Sequence, residues 1–314
     1  MAVTSDELVD GIKKRVTVPA SQALISDADI LTIANTMIRG RMIPLIESLS
    51  QEYFVRISLE DVVAGQSEYQ IPYRAIGRKL RELKMLDAQT NVRNLALISI
   101  EDSQMYETST LCVGFYYKGD RFVLVPGVPD DITPDQTLQI WWYMPPNALC
   151  AVTDAAMVVS IAGATVTCDT VPATVTGASA IDFIQGRSGN TIFDFDVVPS
   201  SSTATTVVFA SADDIPTELA AGDYIAAAGF SPVVNFLPNE AQPLLESYSA
   251  QRVCQRIGDF DGAKMIDPDI SVEEKNLKLL LEPRIDGEPT IIINRYSLAR
   301  GMKFAQRRWV YGSG

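Results

Sequence analysis

Four short stretches of this chain have residue types and spacing that could do chemistry. In DFDGAKMIDPD, residues 259–269, Asp259, Asp261 and Gly262 open like a calcium-binding loop. Such a loop also needs a third early acid, a glycine at the right offset and a closing bidentate glutamate. This stretch has none of them and reads as a polar turn between helices. In the run DFD, strand alternation turns Asp194 and Asp196 outward together if Phe193 and Phe195 point inward. That makes a solvated face, not an acid–base pair. GRSGN, residues 186–190, is rich in glycine but lacks the strand–helix frame and the lysine of a phosphate loop, so it reads as a turn. IWWYMPP, residues 140–146, gathers aromatics: on a strand, Trp141 and Tyr143 share one face and Trp142 takes the other. Core on one face and an interface on the other is the expectation. A base-stacking platform would interleave basic residues, and there are none within several positions.

Composition narrows the chemistry further. Histidine is absent, which removes the commonest general base, the commonest metal ligand and every Ser–His or Cys–His nucleophile pair. Cys112, Cys150, Cys168 and Cys254 have spacings that match no metal or redox motif, so they read as buried free thiols. The expectation is a protein that is not an enzyme, with no catalytic residues, no cofactor and no metal.

The closing stretch, DGEPTIIINRYSLARGMKFAQRRWVYGSG at residues 286–314, stands apart. From Pro289 onward it carries Arg295, Arg300, Lys303, Arg307 and Arg308 and no acid, whereas the whole chain has 26 Lys+Arg against 39 Asp+Glu, a net charge of −13. Ile291, Ile292, Ile293, Leu298, Met302, Phe304, Trp309 and Tyr311 make it too apolar for a solvated tail. It could fold back on its own acidic module, dock on a partner or touch DNA. Its charges are too few and too local to outweigh an acidic body without a dedicated nucleic-acid fold.

These residues must be positioned by a chain of 314 residues, a length that suggests about two domains. Hydrophobic residues at 47% and charged residues at 21% are ordinary for a folded chain, which at this size needs no disulfide or metal staple. No apolar run approaches the roughly 20 residues of a membrane span. The opening MAVTSDELVDGIKKRV has no apolar stretch of signal-peptide length, so folding in a cytoplasm is expected. Residues 5–16 read as a helix capped by Ser5. Residues 26–51 read as a second helix, capped by Ser26 with Asp29 and kinked at Pro44. From Glu52 to Pro145 the period changes to two. EYFVRISLEDV, SEYQIP, KLRELKML, LALISIED, GFYYKGDRFVLV and TLQIWWYM read as strands, with a hairpin at Gly119-Asp120. Residues 151–235 hold nine acids against one base, Arg187, in short alternating runs typical of a small all-β module. Helix returns at 239–257, stopped by Gly258, and again from a Ser271/Glu274 capping box to Pro283. The expected fold class is α+β: a helical bundle with an antiparallel β platform, an inserted small all-β domain and an extended C-terminal arm. The expected boundaries are 1–150 and 236–285 for the body, 151–235 for the inserted module and 286–314 for the arm.

Three stretches carry a resemblance. They are KKRVTVPASQALISDADILTIANTMIRGRMIPLIESLSQEYFV at 13–55, SEYQIPYRAIGRKLRELKMLD at 67–87, and GDYIAAAGFSPVVNFLPNEAQPLLESYSAQRVCQRIGDFDGAKM at 222–265 continued by LLEPRIDGEPTIIINRYSLARG at 280–301. They resemble tailed-bacteriophage virion proteins of the head-to-tail connector, or adaptor, type. The resemblance implies a ring of copies of this chain, twelve in number, beneath a portal protein at the head–tail junction of the virion. It would be made in the host cytoplasm, with a downstream tail or nozzle protein, DNA passing through the channel without specific binding, and no membrane. It further implies that residues 286–314 dock on the portal or on a sister subunit. TIIIN would add a strand to a sheet edge, and SLARGMKFAQRRW would form a short helix anchored by Leu298, Met302 and Trp309. A tail, baseplate or minor capsid protein is the alternative within the virion. A carboxylate-based glycan hydrolase is the alternative outside it, and needs two carboxylates at glycosidase spacing in a cleft.

Overall fold

The computed structural model describes residues 3–16, 25–86, 92–106, 112–127, 136–186, 191–235 and 237–281. The fold is mixed α+β. The chain opens with helices α1 (Ser5–Val16) and α2 (Asp27–Met37), a π turn (Ile38–Met42) and α3 (Ile43–Leu49). Strands β1 (Val55–Asp61), β2 (Glu68–Gln70), β3 (Leu80–Leu86) and β4 (Val92–Leu97) follow, then the one-turn helix α4 (Ile100–Ser103). Next come β5 (Gly114–Lys118), β6 (Arg121–Val125), β7 (Thr137–Tyr143) and β8 (Ala148–Leu149). The acidic region supplies β9 (Ala156–Ala162), β10 (Thr165–Cys168), α5 (Ala173–Thr176), β11 (Ile181–Ile184), β12 (Ile192–Val197), β13 (Ser201–Ser202), β14 (Thr206–Val208), β15 (Tyr224–Ala227) and β16 (Phe230–Ser231). The helices α6 (Gln242–Ile257) and α7 (Phe260–Leu281) are the last described elements.

The helix α1 buries Leu8, Val9, Ile12 and Val16, one apolar stripe at helical spacing. Its cap is Thr4 instead of the expected Ser5. The Glu7 N–H donates to Thr4 Oγ1 at 3.2 Å, and the Thr4 N–H donates to the Glu7 carboxylate at 3.0 Å. Thr4 is extended, pairing with Val233 as a β-bridge, and the chain is already helical at Ser5, one residue earlier than a Ser5 cap would allow. Ser5 is fully buried, and its hydroxyl has no partner among the described residues. Thr4→Ala is therefore expected to cost about 1 kcal/mol, and Ser5→Ala nothing. Urea midpoints compare them directly, and a larger loss from Ser5→Ala would overturn the assignment.

Ser26 and Asp29 form the expected capping box at the start of α2. The disruption expected at Pro44 takes the form of the π turn. Pro44 has no N–H to give, and the turn just before it widens so that the Ile43 N–H reaches Ile38 O. At the other end of the chain the sequence reading needs correcting. Residues 259–269 are not a turn, and no new helix starts at Ser271. Gly258 ends α6 at φ 85°, and the Asp259 carboxylate caps α7 by accepting the Gly262 N–H at 2.9 Å. The helix α7 runs through Pro268, and Ser271 Oγ donates to Asp267 O at 3.1 Å instead of capping. Burial outweighs the lost hydrogen bond, because Ala263, Ile266, Ile270 and Leu277 of α7 join Leu244, Leu245, Tyr248 and Val253 of α6 in one core.

The first sheet has the order β1-β7-β3-β4-β5-β6-β2. It is mixed, not antiparallel, since β4 pairs in parallel with β5 through Ala96↔Gly114 and Leu97↔Phe115. A connection long enough for a parallel return, residues 98–113, separates the two strands. It begins where LALISIED leaves the strand: Ser99 Oγ accepts the Asp102 N–H at 3.1 Å and starts α4. The expected hairpin joins β5 to β6, with Gly119 at φ 67° supplying the turn. The second sheet, β12-β11-β15-β9-β10-β14-β13, is antiparallel and comes wholly from the acidic region. Phe183, Val166, Val207 and Ile225 lie in its own core cluster. A parallel pair, β8 with β16, links it to the rest.

Candidate functional site

The docking residues expected from the sequence, Ile291, Ile292, Ile293, Arg295, Leu298, Arg300, Met302, Lys303, Phe304, Arg307, Arg308, Trp309 and Tyr311, all lie outside the described residues. Within the described residues, two clusters of chemistry-bearing side chains stand out.

The first is buried between the two sheets. Arg74, in the segment between β2 and β3, has a side chain only 8% exposed, and its Nη2 lies 2.7 Å from Asp182 Oδ2 on β11. The same nitrogen is 3.4 Å from Asp196 Oδ1 on β12. Asp182 is fully buried and accepts three further N–H bonds. They come from Asn147 Nδ2 at 2.6 Å, from Gly229 N at 3.0 Å and from Asp196 N at 2.9 Å. The Tyr73 hydroxyl donates to Asp196. Burial works against the Arg74 charge, but the two carboxylates outweigh it and hold the guanidinium above its ordinary pKa.

This arrangement corrects the DFD reading. Asp194 and Asp196 do not share one solvated face. The pairing of β11 with β12 shifts register beside them, and Asp196 adopts φ 60°, which breaks the alternation. Phe195 therefore packs edge-on against Trp142 of the first sheet, while Phe193 joins the second sheet's core. Asp196 turns into the seam, where its charge is spent on Arg74. Of the two acids, only Asp194 stays outside that pair. Partial desolvation raises it above the ordinary carboxylate range, with the Asp182 and Asp196 carboxylates adding to the shift.

The second cluster covers the outward face of β1, β7 and β3. Alternation buries Leu138, Ile140 and Trp142, and the Trp142 indole N–H donates to Ser58 Oγ at 2.7 Å. Trp141 faces the other way, opposite Ile57 on β1 and Glu82 on β3. Ile57 and Leu59 beside it are 45% and 68% exposed, and Trp141 between the flanking cations is half-buried. The fold also supplies the basic residues missing near IWWYMPP. The Arg81 guanidinium sits 5.4 Å and Lys84 Nζ 4.6 Å from the Trp141 ring centroid. Both cations are already neutralised: Arg81 by Glu52 at 2.7 Å and Glu82 at 3.3 Å, Lys84 by Glu82 at 3.1 Å. A phosphate backbone would have to break those pairs, whereas a protein surface could cover them intact.

An open groove of about 420 Å³ between α2 and α6 is lined by Thr32, Thr36, Met37, Arg252, Gln255 and Arg256, with Arg256 held by Asp29 at 3.3 Å. Cys112, Cys168 and Cys254 are buried and Cys150 is half-buried, all free thiols. Burial pushes Cys150 up to about 12 and Cys168 up to about 11, which makes them poor nucleophiles. Among the described residues no set of three or more Cys, Asp or Glu side chains could hold a metal ion. Among them, too, no helix is long and apolar enough to cross a membrane.

No protein-family model matches the chain, and no curated protein matches it.

Proposed function

We propose that this chain is a structural virion protein, a ring-forming head-to-tail adaptor that docks on a portal protein and continues the DNA channel toward the tail. The observation that carries the reading is the outward sheet face of Ile57, Leu59 and Trp141, whose flanking cations are each paired with a carboxylate. An apolar face ringed by satisfied charges is built for contact with protein. A neighbouring copy in a ring is the partner that the resemblance supplies. In this reading α1, α2, α3, α6 and α7 form the ring wall and the first sheet extends it as a platform. Residues 151–235 are an inserted acidic all-β module, and residues 286–314 are the docking arm. A net charge of −13 suits a channel through which DNA slides, since like charge withholds the phosphate contacts that would hold it.

The test is removal of residues 289–314. The truncated chain should remain folded and lose portal binding in a pull-down with purified portal. Unchanged binding would refute the docking arm. Labelled protein on whole particles should appear at the head–tail vertex, and signal at the tail tip would turn the reading to a baseplate component.

A further inference from the structure

The helix α7 turns its buried side, Ala263, Ile266, Ile270 and Leu277, toward α6 and the bundle. On the opposite side Met265, Val272 and Leu279 are 79%, 56% and 67% exposed. They recur every seven residues. Two helical turns drift by only about 20° per heptad, so the three side chains form one straight apolar seam. No described residue covers it.

We infer that this seam pairs with itself: α7 packs antiparallel against α7 of a second copy, with a two-fold axis through Val272. Two observations select this occupant. The first is spacing. Met265 and Leu279 each lie seven residues from Val272, so a two-fold axis there sets Met265 of one chain opposite Leu279 of the other. The second is charge. In the N-terminal half the exposed charges are Asp261, with Lys264 3.5 Å from it, Asp269, and Asp267, which turns toward Gln251 of α6. In the C-terminal half they are Lys275 and Lys278. The acids of that half are drawn inward, Glu273 by Arg15 at 3.1 Å and Glu274 by the Tyr248 hydroxyl. An antiparallel pair lays the acidic half of one helix on the basic half of the other and opposes the two helix dipoles favourably. A parallel pair sets Lys275 and Lys278 against their own copies. Every turn can take part, since a helix of 22 residues is about 33 Å long.

Contacts around a closed ring are head-to-tail, whereas this contact is two-fold symmetric. It is therefore a state of the free chain, and it stands or falls independently of the adaptor reading. Ring assembly would have to open it.

The experiment uses the full-length chain in sedimentation equilibrium over a wide concentration range. A monomer–dimer equilibrium is expected. Val272→Glu should weaken it about a hundredfold, because the substitution sets two like charges on the axis in a desolvated contact. Val272 is exposed in the single chain, so folding should be unchanged by circular dichroism. Oxidative crosslinking gives the geometry. Val272→Cys should link to itself. Met265→Cys and Leu279→Cys should link only when the two variants are mixed, with the unsubstituted chain as the control for its own thiols. A monomer at every concentration would overturn the inference. So would a dimer indifferent to Val272→Glu, or self-linking by Met265→Cys.

Discussion

Replacing Arg74 with methionine should lower the free energy of unfolding by about 3 kcal/mol, the low end of what breaking a buried ion pair costs. The loss comes less from the missing 2.7 Å contact than from what it leaves behind. Asp182 would remain as an uncompensated charge with no exposed surface, on the strand next to the edge of the second sheet. Three N–H donors still reach its oxygens, which is why the low end applies. Asp196 would lose its cation too, while keeping the Tyr73 hydroxyl. The double variant Arg74→Met with Asp182→Asn should recover part of the loss, because no charge is left buried. The recovery is partial because the amide NH2 must face the Asp196 N–H or the Asn147 and Gly229 donors. That non-additivity is the signature of a coupled pair. Urea titrations of the two single variants and the double one measure it. A cost below about 1 kcal/mol for Arg74→Met would show that the pair behaves like a surface salt bridge. The consequence reaches assembly. Arg74 belongs to the first sheet's side of the molecule and Asp182 to the acidic region, so this pair fixes how the second sheet sits on the first.

None of this was legible before folding. Arg74 and Asp182 are 108 positions apart, and no local signal joins them. The same holds at Trp141. Arg81 and Lys84 are distant in the chain and become its neighbours only through the pairing of β3 with β7. What sequence did convey was local and periodic: the apolar stripe of α1, the Ser26/Asp29 box, the Gly119 hairpin and the alternation of β7. Where it misled, a real local signal lost to burial. Pro268 and the Ser271/Glu274 pair look like a helix boundary. Yet Ile266, Ile270 and Leu277 gain more by continuing along α6 than the chain loses at one proline. At Asp196, alternation predicts an outward side chain, and a register shift with φ 60° turns it inward. The parallel junction of β4 with β5 left a single trace in the sequence, Gly114.

Gly114→Ala is expected to cost about 3 kcal/mol, at the upper end for overpacking. A Cβ at this position would lie 2.3 Å from the Ala96 carbonyl oxygen and 2.4 Å from Ile98 Cδ1. The isoleucine side chain can swing away. The carbonyl cannot, because it belongs to the strand that Gly114 pairs with. The strand β4 must therefore retreat from β5, and this junction is what holds the β1-β7-β3-β4 half of the sheet to the β5-β6-β2 half. The damage should be local in its first signs. Amide exchange should accelerate at Ala96 and Ile98, whose N–H groups bond across the junction to Val113 O at 3.3 Å and Phe115 O at 2.8 Å. Protection along β1 and β7 should persist, and with it the outward Trp141 face. Gly40→Ala is the matched comparison, since a Cβ there meets nothing within 4 Å. Removing backbone freedom at that helical site should stabilise by about 0.5–1 kcal/mol. Equal effects from the two substitutions would mean that the strands give way to the added Cβ at no cost and that the close approach of β4 to β5 does not hold the sheet together.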